Sequence, residues 1–121
     1  MNEKRIIMTI DKNYLDRHNL LSQYLGKKIV IYNGIISHFA KHEAEFSNKT
    51  SYHASVNNID KIIKNPEFIS FDSKNNLLEF VRKMLDDTLV AVRVSLSKEL
   101  KVKTMYPINS TKKKKLKAKS F

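Results

Sequence analysis

The chain has 121 residues, a length that accommodates one modest hydrophobic core, so we treat it as a single domain with a tail. Its 23 Lys and Arg residues outnumber its 12 Asp and Glu residues and give a formal net charge of +11. The lack of cysteine excludes disulfides, thiolate catalysis and cysteine-based zinc sites.

The positive charge is uneven along the chain. Residues 112–119 hold six lysines and no acidic residue, and residues 1–111 still carry 17 bases against 12 acids, a net +5. This excess fits a phosphate-rich partner, because each phosphate that Lys or Arg neutralises releases counterions. An anionic membrane surface is the alternative. No apolar stretch approaches the roughly 20 residues that span a bilayer, and no signal peptide opens the chain, so we expect a cytoplasmic protein without a membrane partner.

The first part of the chain is predicted to be mainly helical. Residues 4–10 fit either a strand or a helical lead-in. Residues 13–25 approximate one apolar helical face, and Gly26 is a good helix stop. Residues 27–32 then form a short β-branched run.

Two more helices are predicted in the middle of the chain. The apolar spacing of residues 34–46 is roughly helical, and the polar residues 47–51 read as a loop. A third helix over residues 52–64 must end near Asn65, because Pro66 disfavours helical geometry in the residue before it.

The chain then changes to strands. Residues 68–72 form a short aromatic strand, and residues 73–76 form a turn. Residues 77–85 satisfy both helical and strand patterns, and we choose strand because the β-branched run 89–94 is a strong hairpin partner. Residues 101–108 complete a predicted antiparallel meander.

Helices followed by a meander predict an α+β fold, with N-terminal helices packed on a four-stranded antiparallel sheet. One of residues 109–111 is expected to cap a basic C-terminal helix or tail. We divide the chain into a helical lead-in at residues 1–25, a core at residues 26–111 and a lysine-rich tail at residues 112–121.

Two histidines are candidates for proton transfer. His38 and His42 lie four residues apart on the predicted helix, so they share a face and can act as acid and base near neutral pH. The same spacing can bind zinc. However, Phe39 stands where a His-Glu-x-x-His motif needs glutamate, and we assign no metal site. The plain alternative is a pair of partly exposed surface histidines.

The strands supply further candidates. Arg93 shares a strand face with the small Ala91, which leaves room for a phosphate; the alternative is an exposed arginine that pairs with an acidic neighbour. Thr104 and Tyr106 point to one face of the last strand, where they either donate hydrogen bonds or simply favour β structure. The expected nucleic-acid-binding residues are Lys41, Lys103, Tyr106, Lys112, Lys113, Lys114 and Lys115.

Several segments in this order resemble the PBECR nuclease domains, a group named for phage, barnase, EndoU, colicin and RelE. They are Gly26-Lys-Lys-Ile-Val-Ile31, His38-x-x-Lys41-His42, Ile59-Asp-Lys-Ile-Ile-Lys-Asn65-Pro66-Glu-Phe68, Asp86-Asp-Thr-Leu-Val-Ala-Val-Arg93-Val94 and Val102-Lys-Thr104-Met-Tyr106. The resemblance covers roughly residues 26–119. Its most specific piece is the Ile-Ile-x-Asn-Pro-x-Phe helix stop followed by the Leu-Val-x-Val-basic strand.

The resemblance implies helices on a four-stranded antiparallel sheet and metal-independent RNA cleavage without a cofactor. It places the helix histidine at His38 or His42, the basic strand residue at Arg93 and the hydroxyl residue at Thr104. This chain departs from the group at Arg93, where lysine is common. A second departure is Pro107, in a segment where an acidic residue commonly follows the Ser or Thr.

The resulting hypothesis is a toxin-like endoribonuclease of phage or mobile-element type. It would cleave RNA by attack of the ribose 2′-hydroxyl on the adjacent phosphate. The expected partners are RNA and a cognate acidic inhibitor protein, and the sequence leaves the oligomeric state open. Two alternatives remain: a non-catalytic nucleic-acid-binding module, and a phage-encoded inhibitor that binds an acidic host protein.

Overall fold

Apolar runs separated by turn residues form a six-stranded mixed sheet in the computed structural model, which describes residues 3–121. The strands are β1 (Lys4–Thr9), β2 (Lys28–Tyr32), β3 (Phe68–Asp72), β4 (Leu77–Lys83), β5 (Asp87–Arg93) and β6 (Glu99–Pro107). The helices of this part of the chain are α1 (Lys12–His18), α2 (Gly34–Phe39), α3 (Lys49–Val56), α4 (Ile59–Lys64) and α5 (Ser110–Ala118). The strand order across the sheet is β1-β2-β6-β5-β4-β3.

The last four strands form the predicted meander. β3, β4, β5 and β6 pair in sequence as antiparallel neighbours, so the choice of strand for the ambiguous segment at residues 77–85 is confirmed. The turn between β3 and β4 is held by the Asp72 carboxylate, which accepts hydrogen bonds from the backbone N–H groups of Lys74 and Asn75 at 3.1 and 3.2 Å. In this half of the chain, the turn residues and the alternation of apolar and polar side chains therefore predict the same arrangement of strands.

The predicted four-stranded antiparallel sheet is wrong, although the α+β class is right. β1 and β2 pair with each other and join the meander through a parallel pairing of residues 28–30 with residues 99–101. A parallel pair needs a long connection, here the chain between β2 and β6. Local sequence patterns do not encode a pairing between residues so far apart in the chain, so the sequence did not predict it.

Two predicted helices are shorter than expected. α1 ends at His18, its C-cap residue Asn19 adopts a left-handed conformation with φ 55°, and a 3₁₀ turn at Ser22–Tyr24 follows. Gly26, the predicted helix stop, lies beyond that turn with φ 81°, where its backbone N–H donates to Ile10 O at 2.8 Å. Helix α2 also stops early, at Phe39, and continues as a 3₁₀ helix over Ala40–Glu45.

The third predicted helix, over residues 52–64, is divided into α3 and α4. α3 begins within the segment predicted as a loop, because the Asn48 side chain caps it by accepting from the Ser51 backbone N–H at 2.8 Å. Asn57 and Asn58 separate the two helices. Asparagine competes for backbone hydrogen bonds, so a pair of them favours the break.

The two faces of the sheet have different roles. Val90 and Val92 of β5 point into the main core, where Phe39, Ile62 and other apolar side chains are fully buried. Burial of each such side chain away from water stabilises the folded state by about 1.5–3 kcal/mol. Leu89, Ala91 and Arg93 alternate onto the opposite face, on which Leu116 of α5 packs in a smaller cluster. We call this the α5 face.

Candidate active site

The candidate histidines lie on a segment that runs along β6. Because β2 pairs with β6 only at residues 99–101, the chain that follows β2 packs beside the later part of β6. We call residues 34–45, comprising α2 and the following 3₁₀ helix, the edge segment. Phe39 fixes it to the protein, since its side chain is fully buried in the main core.

His38 and His42 are neighbours, but they do not lie on one face of a regular α-helix. His38 is in the last turn of α2, and His42 is in the 3₁₀ helix. At three residues per turn, positions four apart differ by roughly 120°, compared with roughly 40° in an α-helix. His42 is nevertheless close enough for its charge to act on His38, and both residues belong to elements that pack along β6.

The surroundings of His38 favour its neutral form. The positive charge of Lys41 lowers its pKa from the ordinary value of 6.5, and smaller contributions in the same direction come from desolvation, Lys103 and His42. The two lysines come from different elements: Lys41 is on the edge segment, and Lys103 is on β6. A histidine kept neutral near pH 7 can accept a proton.

His42 is held between two partners. Its Nδ1 lies 2.5 Å from a carboxylate oxygen of Glu45, and its ring packs against the Tyr106 ring with centroids 5.5 Å apart. Lys112 of α5 reaches the same place, because its Nζ donates to the Tyr106 hydroxyl at 3.2 Å and lies 4.8 Å from the ring centroid. The edge segment, β6 and α5 thus meet at Tyr106.

We call the residues gathered along this part of β6 the basic cluster. Its members are His38, Lys41, His42, Lys103, Tyr106 and Lys112. Thr104 lies in the same strand opposite Ala91, but its Oγ1 is enclosed and has no hydrogen-bond partner among residues 3–121. Thr104 is therefore beneath the cluster rather than at its surface.

Arg93 lies at one end of the α5 face. It is directly opposite Lys101 in the β5–β6 register, its side chain is exposed, and it forms no ion pair within the described residues. The alternative of an arginine that pairs with an acidic neighbour is thus not what the structure shows. Arg93 lines a cavity of about 550 Å³ together with Lys103, which also acts on His38.

The lysine-rich tail is the helix α5. The Asn109 side chain caps it by accepting from the Lys112 N–H at 2.8 Å, and Leu116 packs on the sheet. Lys112 and Lys115 line a surface groove along α5, and Lys114 is exposed. Lys113 differs from its neighbours because its Nζ is held by two carboxylates, Asp87 at 2.7 Å and Glu67 at 3.1 Å.

Three residues of this region were not singled out in the sequence. Glu45 is three residues after His42, a helical spacing that could have indicated it. Lys101 and Tyr32 come together only through the parallel pairing of β2 with β6: the Lys101 Nζ lies 5.4 Å from the Tyr32 ring centroid. No local pattern could have predicted that contact.

Two features are absent from the part of the chain that the structure describes. No three His, Asp or Glu side chains within residues 3–121 converge as a group able to hold a metal ion. No helix in that range has the length and apolar character needed to cross a membrane.

Comparison with known proteins gives one match. No curated protein and no solved structure matches the chain. The model of the family described as phage-Barnase-EndoU-ColicinE5/D-RelE like nuclease3 (PBECR3) matches residues 11–115, which include every strand from β2 to β6 and all the candidate residues discussed above. The chain therefore belongs to the PBECR3 family of nucleases of the barnase-EndoU-colicin-RelE type.

Proposed function

We propose that the protein is an endoribonuclease that cleaves RNA by transesterification without a metal ion. The observation that carries the proposal is the basic cluster itself. Two histidines lie beside one strand, and nearby lysines, which can also attract a phosphate, lower the pKa of one of them, His38. Family membership supports nuclease chemistry.

His38 and His42 would move the two protons of the reaction. Neutral His38 removes the proton of a ribose 2′-hydroxyl, and the oxygen attacks the adjacent phosphorus. The bond from phosphorus to the 5′-oxygen breaks as His42 gives that oxygen a proton. Glu45 holds Nδ1 of His42, which leaves Nε2 for this transfer. The products are a 2′,3′-cyclic phosphate and a 5′-hydroxyl.

Positive side chains would stabilise the charge that develops on the phosphate. Lys103 lines the cavity together with Arg93, and its charge also acts on His38. We therefore assign these two cations to the phosphate that is cleaved and to the neighbouring phosphate. We assign the additional hydrogen bond to the Tyr106 hydroxyl rather than to the enclosed Thr104 hydroxyl. Proton transfer contributes about 10²–10⁴ in rate, and each well-placed electrostatic donor contributes roughly 10²–10³.

The net charge of +11 supports a polyanionic substrate. The groove lined by Lys112 and Lys115 begins at the basic cluster, because Lys112 contacts Tyr106. RNA that leaves the histidines can thus follow α5. Lys113 is not part of this proposed surface, since its charge is held by Asp87 and Glu67.

The test is cleavage of an end-labelled RNA in excess EDTA, compared with the same sequence made of 2′-deoxy sugars. We expect cleavage of the RNA alone, with cyclic phosphate ends. His38→Ala and His42→Ala should each reduce the rate by 10²-fold or more. The matched control is His53→Ala, which removes an exposed histidine of α3 and should leave the rate unchanged.

Other outcomes would replace the proposal. Cleavage that requires added Mg²⁺, or equal cleavage of the deoxy strand, would contradict the 2′-hydroxyl mechanism. RNA that is bound in a salt-sensitive manner but stays intact would indicate a nucleic-acid-binding module. An absence of both binding and cleavage would indicate a protein partner.

We also propose a toxin-like role for the activity. A cell that makes an active, unrestrained ribonuclease needs protection, and the basic surface is suited to a cognate acidic inhibitor. Expression of the wild-type chain should arrest growth, whereas the His38→Ala, His42→Ala double variant should not. Normal growth with the active protein and no partner would contradict this role.

A further inference from the structure

The cavity at Arg93 combines an aromatic ring, an apolar wall and three cations. It has a volume of about 550 Å³ and lies where the end of β2, the start of the edge segment, β5 and β6 meet. Its apolar lining comes from Tyr32, Ile35 and Val102, and its charged lining comes from Arg93, Lys101 and Lys103. The volume falls within the range of about 300–1,000 Å³ that is typical of small-ligand sites.

We infer that this cavity binds one nucleotide of the RNA, with the base stacked on Tyr32 and the phosphate held by Arg93 and Lys103. This inference rests on the proposed function, because it takes the nucleotide to be part of an RNA substrate. The lining residues carry three positive charges and no carboxylate, which suits an anionic ligand. An aromatic face beside a positive groove is the arrangement with which proteins hold single-stranded nucleic acids.

In the free protein, the Tyr32 ring makes a weak contact with the Lys101 side chain. The Lys101 Nζ lies 5.4 Å from the ring centroid, a cation–π contact worth about 0.5–1 kcal/mol at an exposed site. Stacking of a base on an aromatic ring is worth about 1–3 kcal/mol. A base can therefore displace the flexible lysine, whose ammonium group stays free to contact the phosphate.

Lys103 connects the cavity with the histidines. It lines the cavity and its charge acts on His38, and Ile35 of the cavity wall lies about one helical turn before His38 in α2. A nucleotide in the cavity would therefore lie next to the linkage that the histidines would cleave. Contacts to the base would then influence which linkage is cut. The cavity is in this sense a specificity site rather than a second catalytic site.

The experiment measures binding without cleavage, by titrating the full-length protein with adenosine 3′-phosphate and uridine 3′-phosphate, which contain no scissile linkage. Ribose 5-phosphate and inorganic phosphate are the comparison ligands. We expect the nucleotides to bind roughly 5- to 150-fold more tightly than ribose 5-phosphate, which corresponds to the stacking energy.

Three variants and one control variant make the test specific. Tyr32→Leu should remove the preference for nucleotides over ribose 5-phosphate, and Tyr32→Phe should retain it. Lys101→Gln should increase the preference by roughly 2- to 5-fold, because the base no longer displaces a cation from the ring. Phe121→Leu, which changes an aromatic residue at the other end of the chain, is the control and should have no effect.

Equal affinity for nucleotides and ribose 5-phosphate would overturn the inference, as would a preference that survives in Tyr32→Leu. If Tyr32→Leu fails to fold, the Lys101→Gln measurement decides the question, and an unchanged preference counts against stacking. The outcome is separable from the proposed function. Nucleotide binding without RNA cleavage would refute the ribonuclease alone, and cleavage without base-dependent binding would refute the specificity site alone.

Discussion

The Asp86 carboxylate joins three parts of the fold, and its removal should destabilise the protein. It lies between β4 and β5, where it accepts hydrogen bonds from the Ser47 backbone N–H at 2.8 Å and from the Ser47 and Ser51 hydroxyls at 2.7 Å. Ser47 follows the edge segment closely, and Ser51 is in the first turn of α3. Asp86→Ala removes both carboxylate oxygens and therefore all three hydrogen bonds at once.

The size of the expected loss of stability follows from how deeply the donors Ser47 and Ser51 are buried. Ser51 is 1% exposed, so its hydroxyl would lose its partner without access to water, at a cost of about 1–3 kcal/mol. Ser47 is exposed, and water can replace its lost partner. We expect Asp86→Ala to lower the free energy of unfolding by about 2 kcal/mol, which moves the urea midpoint by roughly 1 M.

The pH dependence has a definite sign. Desolvation alone would raise the pKa of Asp86, but the hydrogen bonds from Ser47 and Ser51 outweigh it, and the pKa is lowered from 3.8. A lowered carboxylate pKa stabilises the fold above the unfolded-state value, and this contribution is lost as the pH falls through the folded-state value. The difference in the free energy of unfolding between wild type and Asp86→Ala should therefore be largest at pH 7 and should become smaller below about pH 3.8.

Urea unfolding followed by circular dichroism at pH 7 and pH 3 measures both effects. Asp16→Ala is the control, because it removes an exposed carboxylate whose ion pair with Lys12 is worth only about 0.3–0.5 kcal/mol. Equal destabilisation by Asp86→Ala and Asp16→Ala at pH 7 would refute this reasoning.

Three further changes test other parts of the structure. Lys41→Gln should raise the pKa of His38 toward its ordinary value, because a nearby cation is removed, and should shift the acidic limb of the pH–rate profile to higher pH; NMR titration of the ring measures it. Lys113→Met should cost about 1–2 kcal/mol in urea unfolding because two carboxylates lose their partner, whereas Lys114→Met should reduce only the salt dependence of RNA binding. Asn109→Ala should destabilise the protein by about 1 kcal/mol through loss of the α5 cap.

Each of these changes has its own control. Lys49→Gln removes an exposed lysine of α3 and should leave the His38 titration unchanged; an equal shift would mean that the effect of Lys41 is not local. Equal stabilities of Lys113→Met and Lys114→Met would show that the two ion pairs contribute nothing. Ser110→Ala, one residue after the cap, should cost less than Asn109→Ala, and the reverse order would contradict the capping assignment.

The sequence by itself determined those features that depend on neighbouring residues. The meander from β3 to β6 was predicted because strand alternation and turn residues are local signals. The helix stop near Asn65-Pro66 and the capped lysine-rich helix were predicted for the same reason. The family was also indicated by short motifs, and its model matches residues 11–115.

Only the tertiary structure decided what depends on distant pairing. The parallel contact of β2 with β6 places the edge segment along β6, which brings His38 close to Lys103 and His42 against Tyr106. The same pairing puts Tyr32 beside Lys101. Such contacts join residues about 70 positions apart, and their formation depends on burial of the shared core rather than on any local pattern. The ion pairs of Lys113, invisible in a uniform run of lysines, arise in the same way from packing of α5 on the sheet.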